Sequence, residues 1–364
     1  MSEWKEYKLG EVVTFQRGFD LPKDKMRNGE YPVAGSNGVI GWHSEYTTTG
    51  PGVTIGRSGN IGTPHFYKSN YWAHNTSLFV KDFKGNDPLF IYYFLKTIDF
   101  KQLNTGSAVP TLNRNHVHDL QVLLPPIEEQ KRIAGVLSSL DDKIDLLNRE
   151  NVTLEALAET LFRHYFIENP DPTWKEGKLG DYVDIKRGGS PRPITDYIAP
   201  SGYRWLKISD VTNIDSPYIF HTKEYIKESG LKKTVLLNEG SLVLSNSATP
   251  GIPKILCVDS CIHDGWLYFP KSRFSKYYLY LFFKFIRQDL INLGNGSIFT
   301  NLKTDILKNY VINIPDSTSL DKFESIVSPL FEKMLGNTEQ VFALETQRDA
   351  LLPRLMSGEV MVKK

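Results

Sequence analysis

Trp4-Lys5-Glu6-Tyr7-Lys8-Leu9-Gly10 returns as Trp174-Lys175-Glu176-Gly177-Lys178-Leu179-Gly180, and Val13, Arg17 and Gly18 return as Val183, Arg187 and Gly188. Further outward the match resumes at a larger shift. Gly106-Ser107, Leu112 and Pro125 recur as Gly296-Ser297, Leu302 and Pro315, and Leu140, Lys143, Leu154 and Leu161 as Leu330, Lys333, Leu344 and Leu351. The shift grows from 170 to 190 positions, so one unit is written twice and its second copy carries 20 extra residues in its first part. Self-similarity at such a period marks a duplicated structural unit.

The first part of each unit reads as mixed α/β. Short β-branched and aromatic runs, such as Gly52-Val53-Thr54-Ile55 and Gly240-Ser241-Leu242-Val243-Leu244, alternate with Gly, Pro, Asn and Ser. Helical spacing of apolar residues predicts a buried helix at Leu89–Leu95 and another at Tyr277–Ile286. A short apolar strand ending in proline closes each part, at Leu120–Pro125 and Tyr310–Pro315.

The second parts are helical. Ile133, Leu137, Leu140, Ile144, Leu147, Asn151, Leu154, Ala158 and Leu161 alternate steps of four and three, as a coiled-coil seam does. The matching set is Phe323, Val327, Leu330, Met334, Asn337, Val341, Leu344, Arg348 and Leu351, and Pro329 is expected to start or kink this second helix. The sequence thus predicts an α+β chain of two pseudo-symmetric mixed α/β domains joined by two long antiparallel helices. The boundaries fall at 1–126, 127–169, 170–315 and 316–364. Two heads on such a spacer would form a dumbbell whose ends are separated by more than one turn of B-DNA, about 34 Å.

At 364 residues and 40% hydrophobic content the chain can bury two cores. No run of about 18 apolar residues could span a bilayer, the start is polar, unlike a signal peptide, and Cys257 and Cys261 are the two cysteines. These features predict a cytoplasmic protein without a disulfide framework. The net charge of +1 is unevenly spread. Residues 1–126 and 170–315 together carry +7 and the two helical parts −6, so positive surface concentrates where phosphate binding would need it.

Two basic heads on a rigid spacer suit a split DNA site, each head reading one half. Gly-rich loops bear the side chains for it: Arg57-Ser58-Gly59-Asn60 in the first unit and Ser245-Asn246-Ser247-Ala248-Thr249 in the second. A second loop pair is Ser107–Arg114, with Ser107, Thr111, Asn113 and Arg114, and Ser297–Lys303, with Ser297, Thr300, Asn301 and Lys303. Arg bonds guanine bidentately, Asn bonds adenine, and Ser or Thr either; the plain alternative is ordinary capped turns. His74-Asn75 and His263-Asp264 recur before apolar strands, where a structural hydrogen bond competes with a base or phosphate contact. Lys207, in Trp205-Leu206-Lys207-Ile208, completes the candidates. Cys257-x3-Cys261-x-His263 is half a zinc site without a second cysteine pair, so no metal is expected. Trp4 and Trp174 read as core anchors. Phosphate-binding-loop, nucleophile-elbow, zinc-protease and kinase signatures are lacking, so the chain is expected to catalyse nothing itself.

The unit openings, the stretch Tyr203-Arg204-Trp205-Leu206-Lys207-Ile208-Ser209-Asp210-Val211, the stretch Pro125-Pro126-Ile127-Glu128-Glu129-Gln130-Lys131-Arg132-Ile133 and the closing Arg348–Glu359 together resemble one family, the specificity (S, or HsdS) subunits of type I restriction-modification enzymes. The resemblance spans essentially the whole length. It implies two target recognition domains, antiparallel helices acting as a ruler, docking of two methyltransferase subunits and addition of motor-nuclease subunits. AdoMet, ATP and Mg²⁺ would then belong to those partners and no cofactor to this chain. Base-contacting residues vary within the family and are not implied by the resemblance. Competing readings are a specificity module of another restriction class, a coiled-coil scaffold binding protein, and a cryptic nuclease or methylase.

Overall fold

The computed structural model describes residues 4–103, 111–212, 214–294 and 302–362. They form two compact units, one of residues 1–145 and 342–364, the other of residues 146–341. Each long helix therefore contributes one segment to each unit.

In the first unit the opening strand Lys5–Lys8 pairs antiparallel with Gln121–Leu124, so the head begins and ends on one ribbon. The principal sheet runs in the order Thr14–Arg17, Ser77–Asp82, Gly52–Gly56, Pro64–Tyr67, and beside it lies a smaller sheet of Gly38–His43, Tyr31–Gly35 and Trp72–Ala73. Helix Pro88–Lys96 packs Phe90, Ile91, Tyr93, Phe94 and Leu95 into the core with Val53 and Ile55. Its start is encoded locally. The Asp87 carboxylate accepts the Phe90 N–H at 2.8 Å, and Pro88 occupies the first turn, where its missing N–H is harmless.

The second unit repeats this plan. Lys175–Lys178 pairs with Val311–Ile314. The principal sheet runs Val183–Arg187, Trp266–Ser272, Leu242–Ser245, Pro253–Leu256, the same order of equivalent strands, with Tyr218–Ile219 added at the edge. The smaller sheet grows from three strands to five through Ile198–Ala199 and Val235–Leu237. The extra residues thus extend sheet edges and leave the shared strand order intact.

The long helices span Ile127–Arg163 and Ser317–Met356. In the first unit Ile133, Leu137 and Ile144 are buried, Leu140, Leu344 and Leu351 half-buried, and Leu355 and Met356 join Ile133, Ala134 and Leu137 in one core. There Arg348 Nη1 reaches Asp141 Oδ1 at 2.7 Å. In the second unit Leu147, Phe323, Val327, Met334 and Val341 are buried and Leu154, Leu161 and Leu330 half-buried. Phe162 meets Phe323 at 6.1 Å and the Asn337 amide donates to Asn151 Oδ1 at 2.9 Å. Within each unit, then, early residues of one helix lie against late residues of the other, an antiparallel pairing.

Pro329 does not start the second helix, which begins twelve residues earlier at Ser317 and continues past it. The proline and Ser325, whose carbonyl loses its partner, are both exposed to water, while Val327 and Phe331 are fully buried on the opposite face. Packing outweighs the roughly 3 kcal/mol that an interior proline costs. Asp316 supplies the start: Oδ1 accepts the Ser319 N–H at 2.9 Å, and Oδ2 accepts the Ser319 hydroxyl and the Trp174 indole N–H. These donors pull its pKa down to about 2. The first helix is seated differently. Gln130 is buried, its amide donating to Asn86 Oδ1 and the Pro125 carbonyl and its oxygen accepting from the Asp87 N–H. Trp174 packs near Phe166, and Trp4 near Gly358, whose positive φ of 74° closes the second helix.

Candidate nucleic-acid interface

In each unit, three turns meet at one end of the principal sheet, held together by backbone. In the first, Arg57 N–H and Ser58 N–H both donate to the Thr76 carbonyl (2.8 and 3.2 Å), and Leu112 N–H donates to the Arg57 carbonyl at 2.8 Å. Ser58 and Thr111 form a bridge. Gly18 N–H donates to the Ser77 carbonyl, and Phe19 N–H to that of Ala73. The second unit uses the same bonds: Asn246 N–H to the Gly265 carbonyl, Leu302 N–H to that of Asn246, Gly188 N–H to that of Trp266, Gly189 N–H to that of Ile262. Because the scaffold is backbone, side chains on it can differ.

Glycine is required where the first turn crosses the third. A Cβ on Gly18 would stand 2.1 Å from the His74 carbonyl oxygen, and one on Gly188 2.3 Å from that of His263. Both histidines organise their own turn. His74 Nδ1 bonds the Thr76 hydroxyl at 2.8 Å and His263 Nδ1 accepts the Gly265 N–H at 2.8 Å. Burial lowers both pKa values, favouring the neutral ring that such an acceptor needs.

The candidates distribute unevenly. Arg57, Ser58, Asn60, His74, Asn75 and Thr111 are brought together in the first unit, and Ser247, Thr249 and His263 in the second. Asn113 is spent capping helix Arg114–His118, accepting the Asn115 N–H at 2.9 Å, with Arg114 exposed beside it. Lys303 stands exposed at the matching helix start. Ser245 does not face outward. It is fully buried, its hydroxyl donating to the Thr249 carbonyl and accepting the Ile252 N–H, so it shapes the turn. Asn246 is also buried, its amide donating to the Asp264 carbonyl at 3.3 Å. Lys207 is paired with Glu224 in a groove of about 1030 Å³ that Ser190, Arg192, Trp205 and His263 also line, so it adjoins the turns of the second unit. Ser107, Ser297, Thr300 and Asn301 lie outside the described residues. Cys261 is packed against Trp205 and Ile226, and burial pushes its thiol, like that of Cys257, up to about 11.

Charged residues beyond the candidates converge on the same turns: Arg17 and Asp20 in the first unit, Arg187, Arg192 and Asp264 in the second. The repeat itself had marked Arg17 and Arg187. Their proximity to distant turns, however, depends on strand pairing that no local pattern reveals.

The profile of the family described as type I restriction modification DNA specificity domain matches residues 1–156 and again 172–333. The chain belongs to this family. It is 26% identical over 312 residues to the type I restriction enzyme MjaIX specificity subunit of Methanocaldococcus jannaschii, covering 76% of this chain and 69% of the relative. To the HindI specificity subunit of Haemophilus influenzae it is 24% identical, covering 99% and 100%. In fold it is similar to the crystal structure of a type I restriction-modification S subunit from M. genitalium, with a TM-score of 0.67 at 16% identity over 100% of this chain and 97% of that one. The chain is thus a specificity subunit, the non-catalytic DNA-recognition component of a type I restriction-modification system. Among the described residues no helix is long and apolar enough to cross a membrane.

Proposed function

We propose that residues 1–126 and 170–315 are two target recognition domains, each reading half of a bipartite DNA site. Spacer helices 127–169 and 316–364 set the gap between the halves. The helices dock methyltransferase subunits, two by the symmetry of the repeat, and motor-nuclease subunits complete the enzyme. AdoMet, ATP and Mg²⁺ are held by those partners, and the assembly works in the cytoplasm.

One observation carries this reading: the same backbone-bonded set of turns is built twice and furnished with different accessible side chains, Asn60 against Thr249 and Asn75 against Asp264. Two readers of one construction but different lettering are what a split, asymmetric site requires. The test is methylation mapping in cells carrying the chain with its methyltransferase. Exchanging residues 1–125 for those of another specificity subunit should rewrite one half-site and leave the other unchanged. Deleting one heptad from both helices should change the gap and neither half. A change in both halves after the head exchange would overturn the proposal.

A further inference from the structure

Arg17 and Arg187 hold the same place in the two units, each the last residue of the first strand of its principal sheet and followed by the glycine pressed against a histidine carbonyl. Each is tethered to a carboxylate, but from opposite sides of the same turn-to-turn contact. Arg17 Nη2 lies 3.5 Å from Asp20 Oδ1, on its own turn, and Asp20 also accepts the Asn75 amide from the facing turn. Arg187 Nη2 lies 4.0 Å from Asp264 Oδ2, on the facing turn, and its Nε–H donates to the Asp264 carbonyl. Asp264 in turn accepts the Ser190 hydroxyl at 2.7 Å and Arg192 Nη2 at 3.2 Å. Acid and neutral partner have changed places, Asp20 with Asn75 in one unit and Ser190 with Asp264 in the other, while the tethered arginine stays.

Fold stability does not account for this persistence. Backbone bonds already join the turns, and ion pairs as exposed as these contribute little. A carboxylate on one edge of a guanidinium does two other things. It removes rotamer freedom, so the remaining N–H edge is presented in one direction. It also cancels much of the positive charge, which weakens attraction to a phosphate but leaves intact the paired donors that match guanine O6 and N7. Burial opposes ionisation of Asp264, yet the Ser190 hydroxyl and the Arg187 and Arg192 guanidinium groups lower its pKa, so the tether stays charged.

We propose that Arg17 and Arg187 are guanine-reading residues, one for each half-site, and that Asp20 and Asp264 are positioning residues that aim them. The proposal rests on the two-head reading above. Its test is methylation mapping of the full chain with its methyltransferase, alongside DNA affinity measured across a salt series. Arg187→Ala and Asp264→Asn should each relax preference at one guanine of the second half-site on the order of ten-fold and leave the first half-site as it was. Arg17→Ala and Asp20→Asn should do the same in the first half-site. The double variant Ser190→Asp with Asp264→Asn rebuilds in the second unit the arrangement of the first, and should recover the discrimination that Asp264→Asn loses; a purely structural role for Asp264 predicts no such rescue.

Uniform weakening at every site, with a salt slope lower by about one, would identify the arginines as phosphate contacts and overturn the proposal. Retained preference in Asp264→Asn with preference lost in Arg187→Ala would overturn the positioning role. If neither arginine matters while exchange of a whole head still rewrites a half-site, the guanine assignment fails and the two-head reading stands. If head exchange also changes nothing, that reading fails with it.

Discussion

The two units share a frame and differ in nearly everything mounted on it. Both use Gly18 or Gly188 under a histidine carbonyl, both hang a turn from the carbonyl after the histidine-led pair, and both keep an arginine before the glycine. The second unit adds strands at sheet edges, puts its acid on the opposite turn, and replaces Arg57 by Asn246. Residues that hold the backbone are thus kept together with the tethered arginine, while most side chains mounted around them change. Seating on the long helices diverges too, with a buried glutamine in one unit and a capping aspartate in the other.

The shared frame is broken most directly at the glycines. Gly18→Ala and Gly188→Ala should each destabilise by about 3 kcal/mol, since a Cβ there overlaps backbone rather than a movable side chain. Hydrogen exchange should show the loss confined to the unit that carries the change, and a loss in only one of the two variants would mean that the frame is not shared. Next in size is a triad present in both units: Tyr93 hydroxyl, Asp141 and Arg348 in the first, Tyr280 hydroxyl, Glu155 and Lys284 in the second. Asp141→Ala and Glu155→Ala should each cost about 1–2 kcal/mol in denaturant unfolding, because a buried tyrosine hydroxyl loses its acceptor while the cation keeps a second carboxylate, Asp349 for Arg348 and Glu159 for Lys284.

The seating difference is sharpened by Gln130→Ala, which strands three bonded groups and should cost about 1–2 kcal/mol. Leu320→Ala, at the repeat-equivalent position, removes only partly buried apolar surface, and a larger effect there would reverse the contrast. The smallest effects concern the turn at Gly59 and Ala248, left-handed in both units with φ of 80° and 57°. Ala248→Gly should change thermal stability by less than about 1 kcal/mol, relief of backbone strain being offset by a freer unfolded chain. Asp316 adds a pH signature. Its folded pKa lies below the ordinary carboxylate value, so its contribution is complete near pH 5 and is lost as pH falls toward 2. Acid unfolding of the wild type should show this loss, and Asp316→Asn should flatten it.

Much of the architecture was legible because repetition and apolar period survive divergence. The Leu89–Leu95 and Tyr277–Ile286 patterns lie inside helices Pro88–Lys96 and Lys276–Gly294, and the alternating seam lies within the two long helices. The proline-ended runs are the strands Gln121–Leu124 and Val311–Ile314. The interface was less legible, because Ser and Asn do the same chemistry in a cap, a turn and a DNA contact. Ser245 turns inward and Asn113 caps a helix, yet nothing in their neighbourhoods separates them from Ser58 or Asn60. Pro329 failed to mark the helix start for the opposite reason, since a strong local rule yielded to the packing of Val327 and Phe331.

The ribbon formed by Lys5–Lys8 with Gln121–Leu124, and its copy Lys175–Lys178 with Val311–Ile314, places the entrance and exit of each head side by side, with Lys5 opposite Leu124 and Lys175 opposite Ile314. Everything between those strands is a closed excursion of the chain. In genetic terms each head is bounded like a cassette, by two short segments that meet in space, and the contacts to carry over with it are those to the helices, such as Gln130 and Asp141 in the first unit and Glu155 in the second.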